Sequence, residues 1–223
     1  MNKFLTSLCL IVIIASCSNA PETETGEIRT LQLLKKAFDS SNEEKQFIDA
    51  RNLINRVQID AANTPVLFVE LASGQNGTLT PYPGHGVGQT WLAADGATVT
   101  LERGILKASR GMGDDLMGSS STMPPWGKIN NSTESYRREL NYITGNNKIS
   151  KRIFSCYIKK TSNEEQIEIW DINFKVAKFE ENCSNSSLNF RNIYHVDTQG
   201  VVRKSSQYHG DTLGFIIIAR LDK

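Results

Sequence analysis

The residues best equipped for chemistry lie in "GILKASRGMGDDLMG" (104–118), where Arg110 precedes the adjacent carboxylates Asp114 and Asp115. Paired carboxylates hydrolyse glycosides when they flank one bond about 5–9.5 Å apart. Adjacent side chains of an extended chain point to opposite faces, so these two cannot be such a pair. They are expected instead to be structural, one capping a short helical turn in "DDLMG" while Arg110 pairs with the other. "GHGVG" (84–88) lacks the Gly-x-Gly-x-x-Gly spacing. The strand-like "QTWLAADG" follows it, so no helix N-terminus is offered to a phosphate. His85, His195 and His209 are the only histidines and show no His-x-His or His-x-x-x-His spacing, and no Gly-x-Ser-x-Gly elbow occurs. No catalytic residue, metal site or cofactor is read from these patterns.

The cysteines carry more. Lys3 and the apolar run Phe4–Ala15 of "MNKFLTSLCLIVIIASC" form a secretory signal, too short for the roughly 20 residues of a spanning helix. Its end, Ile14-Ala15-Ser16-Cys17, resembles the lipobox of bacterial lipoproteins, an ordinary signal peptide with a chance cysteine being the alternative. The resemblance implies cleavage after residue 16, lipidation of Cys17, and, with Ser18 following, an outer-membrane, periplasmic-side location. Cys9 leaves with the signal. The remaining Cys156 and Cys183 are most simply a disulfide in an oxidising compartment, against two separate buried thiols. No Cys-x-x-Cys spacing supports a zinc or redox role.

The formal net charge is +1, from 25 basic and 24 acidic residues. Loss of Lys3 with the signal makes the mature chain neutral, without a field to attract nucleic acid. Residues 18–26 read as a tether, and 27–223 as one domain of roughly 200 residues.

Two helices, or one broken near Ser40, are expected to open it over 27–58. The first is marked by Ile28, Leu31, Leu34 and Phe38. The second follows a capping box at Ser41–Glu44 and carries a core-facing stripe of Phe47, Ala50, Leu53, Ile54 and Val57. After Pro65 the pattern changes to short alternating runs. "PVLFVELA", "TWLAA", "ATVTLERG", "GILKAS", "SYRRELNYI", "KRIFSCYIKK", "EQIEIWDINFKVAKFEE", "LNFRNIYHVD", "GVVRKSSQY" and "LGFIIIARL" read as strands. Asp95-Gly96 marks a hairpin, Val99 and Leu101 share a buried face, and Gly111 and Gly113 let the chain leave the sheet. "KKTSNEEQ" reads as a turn, and 117–133 as a long loop in which Trp126 is the most exposed tryptophan. Close spacing with polar turns predicts a mainly β fold built on a meandering antiparallel sheet.

"WLAADGATVTLERGILKASRGMGDDL" resembles the group 4 capsule polysaccharide lipoprotein (GfcB/YjbF) family. So do "SYRRELNYI", "FSCYI", "EIWDINFKVAKFEENC" and "LNFRNIYHVDTQGVVRKSSQYHG" in that order, over most of residues 60–220. Tyr208 stands where the family pattern has Trp, and Ser109 where it has Thr. The resemblance implies a β-rich, partly open barrel with the N-terminal helices packed against the sheet, in a lipid-anchored protein without catalytic residues, lipidated at Cys17 and bridged between Cys156 and Cys183. It also implies a part in producing or exporting an exopolysaccharide or capsule, with outer-membrane export proteins or glycan as partners. Arg110, Asp114, Asp115 and Trp126 are the expected contact surface, and Trp91, Trp170, Tyr194 and Tyr208 further rings that could stack on sugar. The alternative is a lipid-carrying or lipoprotein-sorting module with acyl chains held in an open barrel.

Overall fold

The computed structural model describes residues 49–84, 88–130, 135–143 and 148–223. The first expected helix, the Ser41–Glu44 capping box, Cys17 and His85 lie outside them. Twelve antiparallel strands follow in chain order: β1 Leu67–Leu71, β2 Asn76–Tyr82, β3 Gln89–Ala93, β4 Thr98–Glu102, β5 Ile105–Arg110 and β6 Leu116–Ser121, then β7 Ser135–Ile143, β8 Ile149–Ile169, β9 Ile172–Ser184, β10 Asn189–Asp197, β11 Val202–Gly210 and β12 Gly214–Arg220. Each pairs with its neighbour in sequence, and β12 pairs with β1, so the two ends of the meander are joined. The ladder is interrupted only between β5 and β6, leaving a nearly closed barrel with one seam.

Alternation explains the walls. Val99 and Leu101 point inward with Leu67, Val69, Leu116, Leu140, Phe154 and Ile216, forming one interior cluster. A second cluster of Ile105, Met123, Trp126, Ile129, Ile158, Phe179, Tyr194 and Val196 fills the rest. Cys156 lies directly opposite Cys183 across β8 and β9, and the two form a disulfide inside the first cluster.

Several expectations change. "KKTSNEEQ" is not a turn. β8 continues through it with register shifts between Lys160 and Ser162 and between Ser162 and Glu165. Polar composition is shared by turns and by bulged, solvated strand, and here the bulges bend an arm rather than end it. The reversal comes later, at Trp170 and Asp171, both with positive φ (46° and 63°) between the paired Ile169 and Ile172.

The stripe over 50–57 is not one helix either. A 3-10 turn at Ala50–Asn52 is followed by helix α1, Arg56–Ala61, which Asn55 caps reciprocally with Gln58. Leu53 and Val57 are therefore exposed, while Ala50 and Ile59 are buried. Residues from Leu116 onward form β6, so 117–133 is only partly loop, and "DDLM" starts a strand instead of a helix. Gly111 and Gly113, at φ +77° and +108°, make the turn before it, as the sequence suggests.

The bent β8–β9 arm packs against the outside of the barrel. There Phe68, Ala219 and Leu221 form a third cluster with Ala50, Ile59, Val66 and Ile169, against which Ile54, Ile167, Trp170 and Phe174 pack.

Candidate functional site

Three places gather functional side chains: the seam, the barrel interior, and the outer groove beneath the arm.

At the seam, side chains do the work that a strand ladder does elsewhere. Arg110 donates from Nη1 to the Leu116 carbonyl (2.9 Å) and from Nη2 to that of Met117 (3.2 Å). It pairs with neither aspartate, contrary to the sequence expectation, because the edge carbonyls of β6 face it. Asp115 accepts from the amides of Gly111 (2.9 Å) and Met112 (3.0 Å), so it closes the turn rather than capping a helix. Asp114 is exposed and accepts from the Thr212 hydroxyl. Ser109 Oγ accepts from the Leu116 amide (3.0 Å) and lies 2.7 Å from His209 Nε2.

A serine beside a histidine suggests a nucleophile and its base. Here Ser109 is 1 % exposed and His209 0 %, and the hydroxyl is committed to a backbone amide. The pair seals the barrel.

Burial holds the His209 imidazole below its usual pKa of 6.5, outweighing the opposing charges of Asp115 and Asp114. Burial also lowers His195, against Glu165 and with Lys178 and Lys204 nearby. Both stay neutral in the fold while the unfolded chain takes up protons below pH 6.5, so stability should decline as pH falls through that value. Thermal melts from pH 7.5 to 5.5 check this. His209→Gln should flatten part of the slope; an unchanged slope in that variant would assign it elsewhere.

In the interior, β7, β9, β10 and β11 place the buried polar residues Arg138, Glu181, Asn192 and Gln207 among their apolar ones. Glu181 (β9) accepts from Arg138 Nη1 (β7) at both carboxylate oxygens (2.8 Å each). It also accepts from Tyr136 (2.7 Å), Asn192 (2.7 Å) and Tyr194 (2.8 Å). Burial pushes the Glu181 carboxyl up, but the Arg138 charge and these donors outweigh it and keep the pKa below the usual 4.5. Gln207 (β11) then reaches across the interior to the unpaired edge of β5. It accepts from the Leu106 amide (2.8 Å) and donates to the Gly104 carbonyl (2.9 Å). Cys156, Glu181 and Cys183 bring ligand-type atoms within 4.8 Å of one another. The two sulfurs are bonded to each other and the carboxylate is saturated, so the trio offers a metal no free donor set.

Trp126 was expected to be the most exposed tryptophan, and it is buried at 7 %. Its ring packs on Phe179 (5.2 Å) and Tyr194 (5.0 Å), and its Nε1 donates to the Arg103 carbonyl (3.0 Å). The loop that carries it folds inward to fill the barrel beside the seam, so apolar burial decides its position. Trp91, Tyr194 and Tyr208 are buried as well. Trp170 is the tryptophan left half-buried.

Trp170 stands at the arm's tip over an open groove of 540 Å³. Phe68 and Ala219 form its floor, with Glu70, Glu168, Asp171 and Lys204 around it. Sequence reading names Trp170 only as one of several rings that could stack on sugar and misses the groove, although a signal for the turn was present. Apolar positions run 167, 169 and then 172, 174, 176. That one-residue change of phase is what a two-residue reversal at 170–171 produces.

Residues 32–221 match the family model described as group 4 capsule polysaccharide lipoprotein gfcB, YjbF. No curated protein matches the chain. Among solved structures, the chain is similar to the hypothetical lipoprotein YmcC from Escherichia coli (K12), at 19 % identity and a TM-score of 0.66. The alignment covers 82 % of this chain and 98 % of that one, and shows a shared fold. Among the described residues, no helix is long and apolar enough to cross a membrane.

Proposed function

The chain belongs to the YjbF family of group 4 capsule polysaccharide lipoproteins, and from that premise we propose how it acts. It is a non-enzymatic lipoprotein held through Cys17 at the periplasmic side of the outer membrane. It assists the production or export of an exopolysaccharide or capsule by binding glycan or an export protein at its surface. The family match over 32–221 carries this reading, because it spans the whole barrel including the seam and the arm. The interior supports binding from outside. Leu106, Leu116 and Ile216 are fully buried there, together with a charged network. That filling speaks against acyl cargo in the lumen, which would need an empty apolar space.

The test is complementation of a strain lacking the gene. Wild type should restore surface polysaccharide. Cys17→Ser removes the acyl anchor and should shift the protein from the membrane to the soluble periplasmic fraction with less polysaccharide exported. Unchanged surface polysaccharide on deleting the gene would overturn the role.

A further inference from the structure

We propose that the groove beneath the β8–β9 arm is a saccharide site for an uncharged, hydroxyl-rich glycan segment, with Trp170 as its stacking platform. The inference rests on the export role proposed above and gives it a location and a ligand class.

The turn itself is the first observation. A two-residue reversal with both residues at positive φ is the place for Asn-Gly or Gly-Gly. Here the residues are Trp170 (φ 46°) and Asp171 (φ 63°). A bulky side chain in that region is an outlier, and such residues gather at binding sites. The strain buys a fixed ring. The indole is tilted against Phe68 with centroids 4.9 Å apart, its Nε1 donates to the Ile54 carbonyl (3.4 Å), and part of it stays open to solvent.

The groove's chemistry is the second. Its volume of 540 Å³ falls within the roughly 300–1,000 Å³ of small-ligand sites. Glu168, Asp171 and Lys204 are exposed, and their charged ends form no ion pair among the described residues. Carboxylates accept strongly from hydroxyls, and a lysine donates to hydroxyl or ring oxygens. Arg51, the other cation there, is already engaged by Asp49 (3.1 Å) and Glu70. With Arg51 and Glu70 paired to each other, two free carboxylates, Glu168 and Asp171, against one free cation among the described residues disfavour a polyanion. An aromatic face beside unpaired acceptors suits the apolar C–H face and the hydroxyl edge of a neutral sugar.

The experiment is a fluorescence titration of the full-length lipoprotein in detergent. Trp91 and Trp126 are buried, so Trp170 reports on the groove. The probes are the neutral oligomers of glucose, galactose and N-acetylglucosamine, the host's own purified polysaccharide, and polygalacturonate as the anionic comparison. A saturable emission change is expected with a neutral probe and not with polygalacturonate. Glu168→Gln, at an exposed position, should weaken binding about tenfold while melting stays unchanged. Trp170→Asn, whose new residue suits the left-handed turn and whose binding is read by isothermal titration calorimetry because the reporter is gone, should abolish binding while the protein still melts cooperatively.

Absence of saturable binding to every neutral probe, preference for polygalacturonate, or full binding by Trp170→Asn overturns the site. In cells, if Cys17→Ser lowers surface polysaccharide and Trp170→Asn does not, the export role stands and the groove assignment falls. If deleting the gene leaves it unchanged, both fall.

Discussion

Arg138→Met should destabilise the protein by about 3–5 kcal/mol, measured as a loss in unfolding free energy at pH 7. Arg138 and Glu181 are 1 % and 0 % exposed, so removing the cation strands a carboxylate in the core. That is a large part of the 5–15 kcal/mol that holds a typical domain together. The pH dependence should reverse as well. In the wild type the Glu181 pKa lies below 4.5 in the fold. Its contribution is therefore complete above pH 4.5 and is lost as pH falls through the folded value. Without Arg138 the burial penalty, which is the largest single influence on this group, prevails and raises the folded pKa above 4.5. The variant should then lose stability as pH rises from 4.5 toward 7. Adding Glu181→Gln should recover part of the loss, since a neutral amide oxygen still accepts from Asn192 and Tyr194. Equal stability of wild type and Arg138→Met at pH 7 would show that the network is held together without the pair.

Removing the disulfide with Cys156→Ala and Cys183→Ala should cost about 3.5 kcal/mol on a chain-entropy estimate for a loop of this length. The two cysteines are 27 residues apart and directly opposed in β8 and β9. The bond therefore closes a loop containing both bulges and the whole arm to Trp170. It also fixes register at the arm's base, where a slip by one residue would turn Arg138's partner Glu181 out of the core. Denaturant melts of wild type with and without reductant, beside the double variant, measure this. A difference below about 1 kcal/mol would mean that the ladder restrains the arm without the cross-link.

Much of the barrel is legible in the sequence because period-2 alternation is a local property. "SYRRELNYI" coincides with β7 from Ser135 to Ile143, and Val99 and Leu101 turn inward as read. Alternation even places the polar core on the correct face: Arg138 lies in phase with Tyr136, Leu140 and Tyr142, and Glu181 with Phe179 and Cys183. That these residues meet is invisible from any one strand. It depends on the registers of β7 through β10, which bring Arg138 and Glu181 together from 43 positions apart.

The misreadings share a cause. Ser, Asn and Glu in "KKTSNEEQ" satisfy a turn and a bulged, solvated strand equally well. Trp126 sits among turn-forming residues, yet the gain from burying an indole carries its loop into the barrel. Leu53 and Val57 fit a helical stripe, but Asn55 caps a new helix between them and takes both out of the core.

By itself, the sequence determined the alternating strands, the resemblance to a lipoprotein family and the cysteines able to pair. Each follows from residue types at short spacing. Only the tertiary structure decided that β12 closes on β1, that the seam is laced by Ser109, Arg110 and Asp115, and that Trp170 faces solvent in place of Trp126. Those outcomes depend on long-range pairing and on two bulges that bend an arm across the outer wall. No local pattern of residues encodes where such an arm will land.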